Sequence, residues 1–233
     1  MYHQLKVFIK EQIESAVWKA EEAIPSEREL SELFGISRIT VRQAINELVN
    51  EGVLFRKRGM GTFVAPPKIN QGLSKLSGFT ADMQSLGLKP SSKVLNVRNV
   101  TASPEIAQKL NIQEEDEIVE IFRLRLADDE PMALERSFLP FDKVKPIMDE
   151  PLENRSLYTL LTEKCHLNLA WAKQTIEIGD IGTQGDAELL EVDQNTPVLL
   201  IERTTHLDNS EPIEYVVSQY RADRYKFTIE MDI

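Results

Sequence analysis

The chain has 233 residues, 42% hydrophobic and 28% charged, enough apolar material for the core of one or two domains. No run approaches the ~20 apolar residues that span a bilayer, and the opening Met1-Tyr2-His3-Gln4-Leu5-Lys6 lacks the apolar stretch and cleavage site of a signal peptide. The single cysteine, Cys165, excludes an intrachain disulfide, and three scattered histidines have no metal-ligand spacing. These features predict a protein of the reducing cytoplasm with no membrane partner and no cofactor.

The net charge of −11 argues at first against a nucleic-acid partner. Its distribution is uneven, however. Up to Pro66 there are nine basic and nine acidic residues, so the remaining 18 basic and 29 acidic residues carry the whole −11. Between Arg38 and Arg58 five basic residues face two acidic ones. An acidic body with one locally basic region suits a protein that meets DNA through one end.

Leu5, Phe8, Ile9, Ile13, Ala16 and Val17 recur at spacings of three and four and predict an amphipathic first helix. After Ile24-Pro25, Ser26 and Glu29 form a capping-box pattern, which starts a second helix from Ser26 to Phe34. Gly35-Ile36 is a short turn. Ser37 caps a third helix whose inner face is Val41, Ala44, Ile45 and Leu48, and Gly52 ends it. Its outer face carries Arg38, Ile39, Arg42, Gln43 and Asn46, side chains suited to base edges and phosphates. Val53 to Arg56 and Thr62 to Val64 read as two short strands joined by the basic, glycine-rich tip Lys57-Arg58-Gly59-Met60-Gly61. Helix, turn, helix and hairpin is the order of a winged helix-turn-helix.

Pro66-Pro67 marks a boundary. The expected organisation is a DNA-binding domain at 1–66, a linker at 67–75 and a second domain at 76–233. In that second domain, short helices are expected over Phe79 to Leu86, Pro104 to Leu110, Ser156 to Leu161 and Gln184 to Leu190. Strands are expected at Lys93 to Val100, Glu117 to Ala127, Met132 to Leu139, Ala172 to Gly179, Val198 to Leu207, Ile213 to Arg221 and Tyr225 to Met231. Hairpins dominate, so the fold class is α+β, with a mainly antiparallel sheet and its helices on one side.

Four segments at consistent spacing resemble the DNA-binding domain of the GntR family. They are Ile24-Pro25-Ser26-Glu27-Arg28-Glu29-Leu30, Phe34 to Arg42, Glu51-Gly52-Val53-Leu54 and Gly59-Met60-Gly61-Thr62-Phe63-Val64. The second domain resembles the UTRA effector-binding domain of the HutC-like subfamily. The residues that carry this are Leu76 to Met83, Arg123-Leu124-Arg125-Leu126-Ala127, Pro131 to Glu135, Pro197 to Leu200 and Tyr220 to Tyr225. The resemblance covers nearly the whole chain. It implies a chorismate-lyase-like sensing fold, a homodimer, and a repressor whose hold on a palindromic double-stranded operator is controlled by a small metabolite.

The same resemblance implies that Arg28, Arg38 and Arg42 contact bases or phosphates, with Ser37 and Thr40 as phosphate partners and Gly61 in a wing that enters the minor groove. Lys57 and Arg58 would add attraction to phosphates. An arginine fork suits guanine O6 and N7, although Arg28 is also placed to pair with Glu32 one turn on. In relatives that sense sugar phosphates, two arginines on one strand hold the phosphate. Arg123 and Arg125 match them, and alternation puts both on one sheet face. Thr80 and Lys173 would add donors, while Glu135, Glu214 and Tyr220 would meet sugar hydroxyls. Other readings stay open: Arg123 and Arg125 pairing with Glu120, Glu135 or Glu202, and Tyr220 as a core residue. Ala170 stands where such sensors carry a small hydroxyl residue, and beside it Trp171 either stacks on a sugar or fills core space. The expected effector is an amino-sugar or hexose phosphate. The alternatives are a non-phosphorylated carboxylate or amine ligand, or a lyase-like activity on the second domain. No nucleophile motif, phosphate loop or metal cluster supports catalysis, so no enzyme activity is expected.

Overall fold

The computed structural model describes residues 2–57, 59–73 and 75–231. It divides into two compact units, Met1–Ile69 and Asn70–Ile233.

The first unit contains α1 (Tyr2–Glu14), α2 (Glu27–Phe34), α3 (Arg38–Asn50) and the hairpin β1 (Leu54–Lys57) and β2 (Gly61–Val64). The capping box at Ser26 is formed: its side chain accepts from the Glu29 amide, and Glu29 accepts from the Ser26 amide at 2.7 Å. Gly35 closes α2 at φ +61, a left-handed conformation that costs other residues energy. Ser37 caps α3 by accepting from the Thr40 amide at 3.2 Å. Leu5, Ile9, Leu30, Val41, Ala44, Ile45 and Leu48 form the core, closed from the wing side by Leu54 and Val64. The chain before α2 also pairs with the wing, since Ile24 N–H donates to Thr62 and Glu21 N–H to Val64, both at 2.9 Å. The first helix ends at Glu14, short of Val17, and Ala16 turns the chain at φ +56.

The second unit is built on a six-stranded sheet in the order β4-β5-β6-β9-β8-β7. Those strands are β4 (Pro90–Thr101), β5 (Glu117–Ala127), β6 (Glu130–Pro140), β7 (Leu169–Asp180), β8 (Pro197–Leu207) and β9 (Pro212–Arg221). Every neighbouring pair is antiparallel. Helices cover both faces of the sheet, not one. Val119 and Ile121 pack with α7 (Leu157–Glu163) and the short turn α6 (Phe141–Val144). Their strand neighbour Ile118 packs with α5 (Pro104–Leu110), and Leu124 and Leu126 with α8 (Gln184–Leu190). Adjacent strand residues point to opposite faces, and β5 is apolar on both. A strand buried on two sides needs cover on two sides.

Within the stretch expected to be a linker, Ile69–Gly72 is a strand, β3, paired with β10 (Tyr225–Thr228) in a separate two-stranded sheet. The next helix is α4 (Phe79–Ser85). Among the described residues no helix is long and apolar enough to cross a membrane.

Candidate functional site

Two places gather polar side chains that folding alone does not require. The first is the outer face of α3. Val41, Ala44, Ile45 and Leu48 are buried, and the helical period leaves Arg38, Ile39, Arg42, Gln43 and Asn46 exposed. Arg28 is 69% exposed and bonds Glu32 at 3.0 Å, the i,i+4 pair its spacing allows. Arg42 is held by Glu27 from the first turn of α2, with Nη2 2.7 Å and Nε 3.0 Å from Oε2. Arg56 lies 3.7 Å from the same carboxylate. The Arg42 hydrogen bonds hold the Glu27 carboxyl below the usual range, and Glu27 in turn raises the Arg42 guanidinium. Glu27 therefore fixes the direction of an arginine on the exposed face. Nothing in the sequence singles it out, because a first-turn glutamate is ordinary helix chemistry.

Ser37 and Thr40 face each other at 2.9 Å beside the start of α3. On the wing, Lys57 stands over the rings of Phe55 and Phe63, at 5.4 and 5.0 Å from their centroids. Gly61 has φ +124 and open space where a Cβ would be, so its backbone can be approached closely. Arg58 lies outside the described residues.

The second place is a cavity in the sheet face under α4 and α7. The antiparallel register aligns Arg123 of β5 with Glu135 of β6, Ser218 of β9 and Ile201 of β8. One row on, Arg125 aligns with Ala133 and Tyr220. In the other direction Val216 pairs with Arg203, and Glu214 with Thr205. Arg123, Arg125, Arg203, Glu135, Glu214 and Tyr220 all line the cavity, roofed by Phe79, Thr80 and Asp82 of α4 and by Tyr158.

The charges inside are only partly matched. Arg123 bonds Glu135, and its Nη1 reaches the Arg155 carbonyl at 3.4 Å. Arg125 donates to Thr80 Oγ1 at 3.1 Å and lies over the Phe79 ring at 4.7 Å, while Glu135 is 4.0 Å from its Nη1, beyond hydrogen-bond range. Arg123 Nε and Arg125 Nε and Nη1 are buried with no hydrogen-bond partner among the described residues. Buried donors in native proteins are nearly always satisfied, and these belong to two adjacent cations.

Burial, reinforced by the charge of Arg123, pulls the Arg125 pKa down to about 10. Burial pushes the Glu135 carboxyl up, but Arg123 and Arg125 more than offset this and hold it below its ordinary value. Glu214 accepts from Thr205 at 3.2 Å; burial, with Glu135 adding, raises its pKa. The result is a positive end at Arg125 and Thr80 and an acidic end at Glu135 and Glu214.

The fold thus brings together Thr80, Arg123, Arg125, Glu135, Glu214 and Tyr220. It does not bring Lys173 to them. Ala172 and Gln174 face the cavity side of β7, and alternation turns Lys173 to the opposite face, beside Lys109, Glu202 and Thr204. Trp171 is 45% exposed and stacks on His206 at 3.8 Å, so it is not core filling. Arg203 is a site residue that sequence reasoning misses, although alternation along Val198–Leu207 puts it on the face of Ile201 and Thr205. Its neighbours Glu202, Thr204, Thr205 and His206 make that half of the strand polar, so it lacks the signal that marks Arg123 between Phe122 and Leu124.

The family model for "Bacterial regulatory proteins, gntR family" matches residues 1–64, and that for the UTRA domain matches residues 85–226. The chain is 40% identical over 232 residues to the HTH-type transcriptional repressor NagR of Bacillus subtilis (strain 168), covering 100% of this chain and 95% of that protein. It is 31% identical over 230 residues to the probable fructoselysine utilization operon transcriptional repressor of Escherichia coli (strain K12), covering 99% and 94%. Among solved structures, PhnF from Mycobacterium smegmatis matches with a TM-score of 0.68 at 26% identity over 99% of this chain and 98% of that one. With a helix-turn-helix whose arginine-bearing outer face is exposed and a separate unit holding a charged cavity, the chain belongs to the GntR family of bacterial regulatory proteins and is a DNA-binding transcription regulator, not an enzyme, with a UTRA domain as its second unit.

Proposed function

We propose that this regulator is a cytoplasmic homodimeric repressor whose grip on a palindromic operator is released by a phosphorylated sugar bound in the cavity of the second unit. The observation that carries the ligand class is the pair of buried guanidiniums with three unpartnered N–H groups. A phosphate monoester is doubly charged near neutral pH and has oxygens enough for all three. Charge-assisted bonds to arginine are among the stronger polar contacts. The acidic end, Glu135 and Glu214, would accept from sugar hydroxyls or an amino group. Several relatives are repressors, and one is named for the utilization of a sugar–amine conjugate.

The cavity is small, about 40 Å3. That is room for very little beyond water, whereas a guest as large as benzene needs roughly 150 Å3. Sugar phosphate entry therefore requires α4 and the residues just before it, Leu76 and Ser77, to move. These residues follow closely on β3, where the second unit begins, so their displacement acts on the chain leading to the DNA-binding unit. On the operator, Arg28, Ser37, Arg38, Thr40, Arg42, Lys57, Arg58 and Gly61 would carry the contacts.

A ~100-fold loss of operator affinity needs about 3 kcal/mol of differential ligand binding between the two arrangements. Anisotropy of a selected operator duplex, titrated with hexose phosphates and the matching free sugars, tests this. Release by a phosphate ester and not by its free sugar is expected; equal effects of both refute the phosphate assignment.

A further inference from the structure

A second and larger cavity, about 400 Å3, opens beside the first along the edge of the sheet. It rests on β7, the last strand in the sheet order, and Arg203 of β8 stands in the wall of both cavities. Neighbouring strands are about 4.8 Å apart, so the second cavity begins about 14 Å from β5, where Arg123 and Arg125 sit. Between the two lie Glu135 of β6 and Glu214 of β9, the acidic end of the first cavity.

The lining of this second cavity is specific. Leu73, Leu76, Ala172 and Ile176 make it partly apolar, and Ala172 and Gln174 line it from the same face of β7. Its charged members are Arg203 and Lys75, and among the described residues no carboxylate lines it. In a chain with 38 acidic and 27 basic residues, that is the opposite of the average surface. Arg203 is oriented from two sides: its Nε donates to Gln174 Oε1 at 2.6 Å and its Nη1 to the Ser77 carbonyl at 2.9 Å. Both hydrogen-bond partners are neutral, and the carboxylates whose charge acts on Arg203, namely Glu214, Glu135 and Asp82, line the first cavity and not this one. Lys75 is an exposed member of this lining.

We propose that this second cavity is a subsite for a carboxylate-bearing substituent of the effector. The full ligand is then a phosphorylated sugar extended by a short acidic arm, with its phosphate at Arg123 and Arg125 and its carboxylate at Arg203 and Lys75. The inference rests on the phosphate reading above, since the first cavity fixes which end lies where.

Calorimetry on the full-length chain tests it with three probes: hexose 6-phosphate, the same sugar phosphate carrying a short N-linked carboxylate arm, and the neutral amide of that arm. The carboxylate compound is expected to bind about tenfold more tightly than either of the others, the worth of one charge-assisted hydrogen bond. Lys75→Gln should remove most of that gain, and Ala172→Leu, which narrows the cavity beside Gln174, should lower it as well. In both variants the affinity for bare hexose phosphate should stay unchanged. Three equal affinities, a neutral arm as good as the acidic one, or a gain undiminished in both variants would each overturn the subsite while leaving the phosphate reading intact. If none of the three probes binds, both fall.

Discussion

Replacing Arg125 by Met, which keeps most of the volume and removes the charge, separates a ligand-binding arginine from a structural one. Arg125 has two buried donor nitrogens, Nε and Nη1, without hydrogen-bond partners among the described residues. Each costs about 1–3 kcal/mol where no cavity water accepts from it. Against this stand its hydrogen bond to Thr80 at 3.1 Å, about 1.5–3 kcal/mol for a charged donor, and its contact with the Phe79 ring at 4.7 Å, about 0.5–2 kcal/mol. The two sides balance to within about 1 kcal/mol. The ligand-free variant should therefore melt within about 4 °C of the parent. A phosphate ester, by contrast, would lose two charge-assisted bonds, about 3 kcal/mol together, or about 100-fold in affinity. Thermal melting without ligand, paired with calorimetry against hexose phosphates, reads both quantities. A variant that loses 3–5 kcal/mol of stability, as when a buried ion pair is broken, yet binds phosphate esters unchanged would refute the reasoning.

Other expectations follow from the same geometry. Burial and Glu135 raise the folded pKa of Glu214 above its ordinary 4.5. Above that pH the unfolded chain has lost a proton the folded one keeps, so this group's contribution to stability falls as pH rises towards the folded pKa. Glu214→Gln should thus raise the ligand-free melting temperature more at pH 7.5 than at pH 4.5; equal shifts would show that Glu214 titrates normally. Arg42→Ala should cost about 1–3 kcal/mol of operator affinity and relax specificity in a random-duplex selection, while full-length protein with no preferred duplex would contradict the DNA-reading face. Residues 70–233 alone should sediment as a dimer at micromolar concentration, and a monomer there would put the dimer contact elsewhere.

Local chemistry in the sequence is enough for much of this protein. The capping box at Ser26, the Gly35 turn, the cap at Ser37 and the apolar stripe Val41, Ala44, Ile45 and Leu48 each act within a few residues, so the helix-turn-helix and its exposed arginines are legible from the residues alone. Alternation along Glu117–Ala127 likewise puts Arg123 and Arg125 on one face. The short α6 has too few residues to show a period, and β3 is a strand only because β10, more than 150 positions away, pairs with it. Lys173 sits one position from residues that do face the cavity side, but a period of two decides its face and turns it away. Register between strands, which pairs Arg123 with Glu135 and Val216 with Arg203, is a long-range property that no single segment encodes. It is tertiary structure that joins a third arginine to the two the sequence marks, leaves three of the N–H groups on that first pair without partners, and opens the second cavity beside Arg203, because burial and pairing of charges depend on which distant strands come to lie side by side.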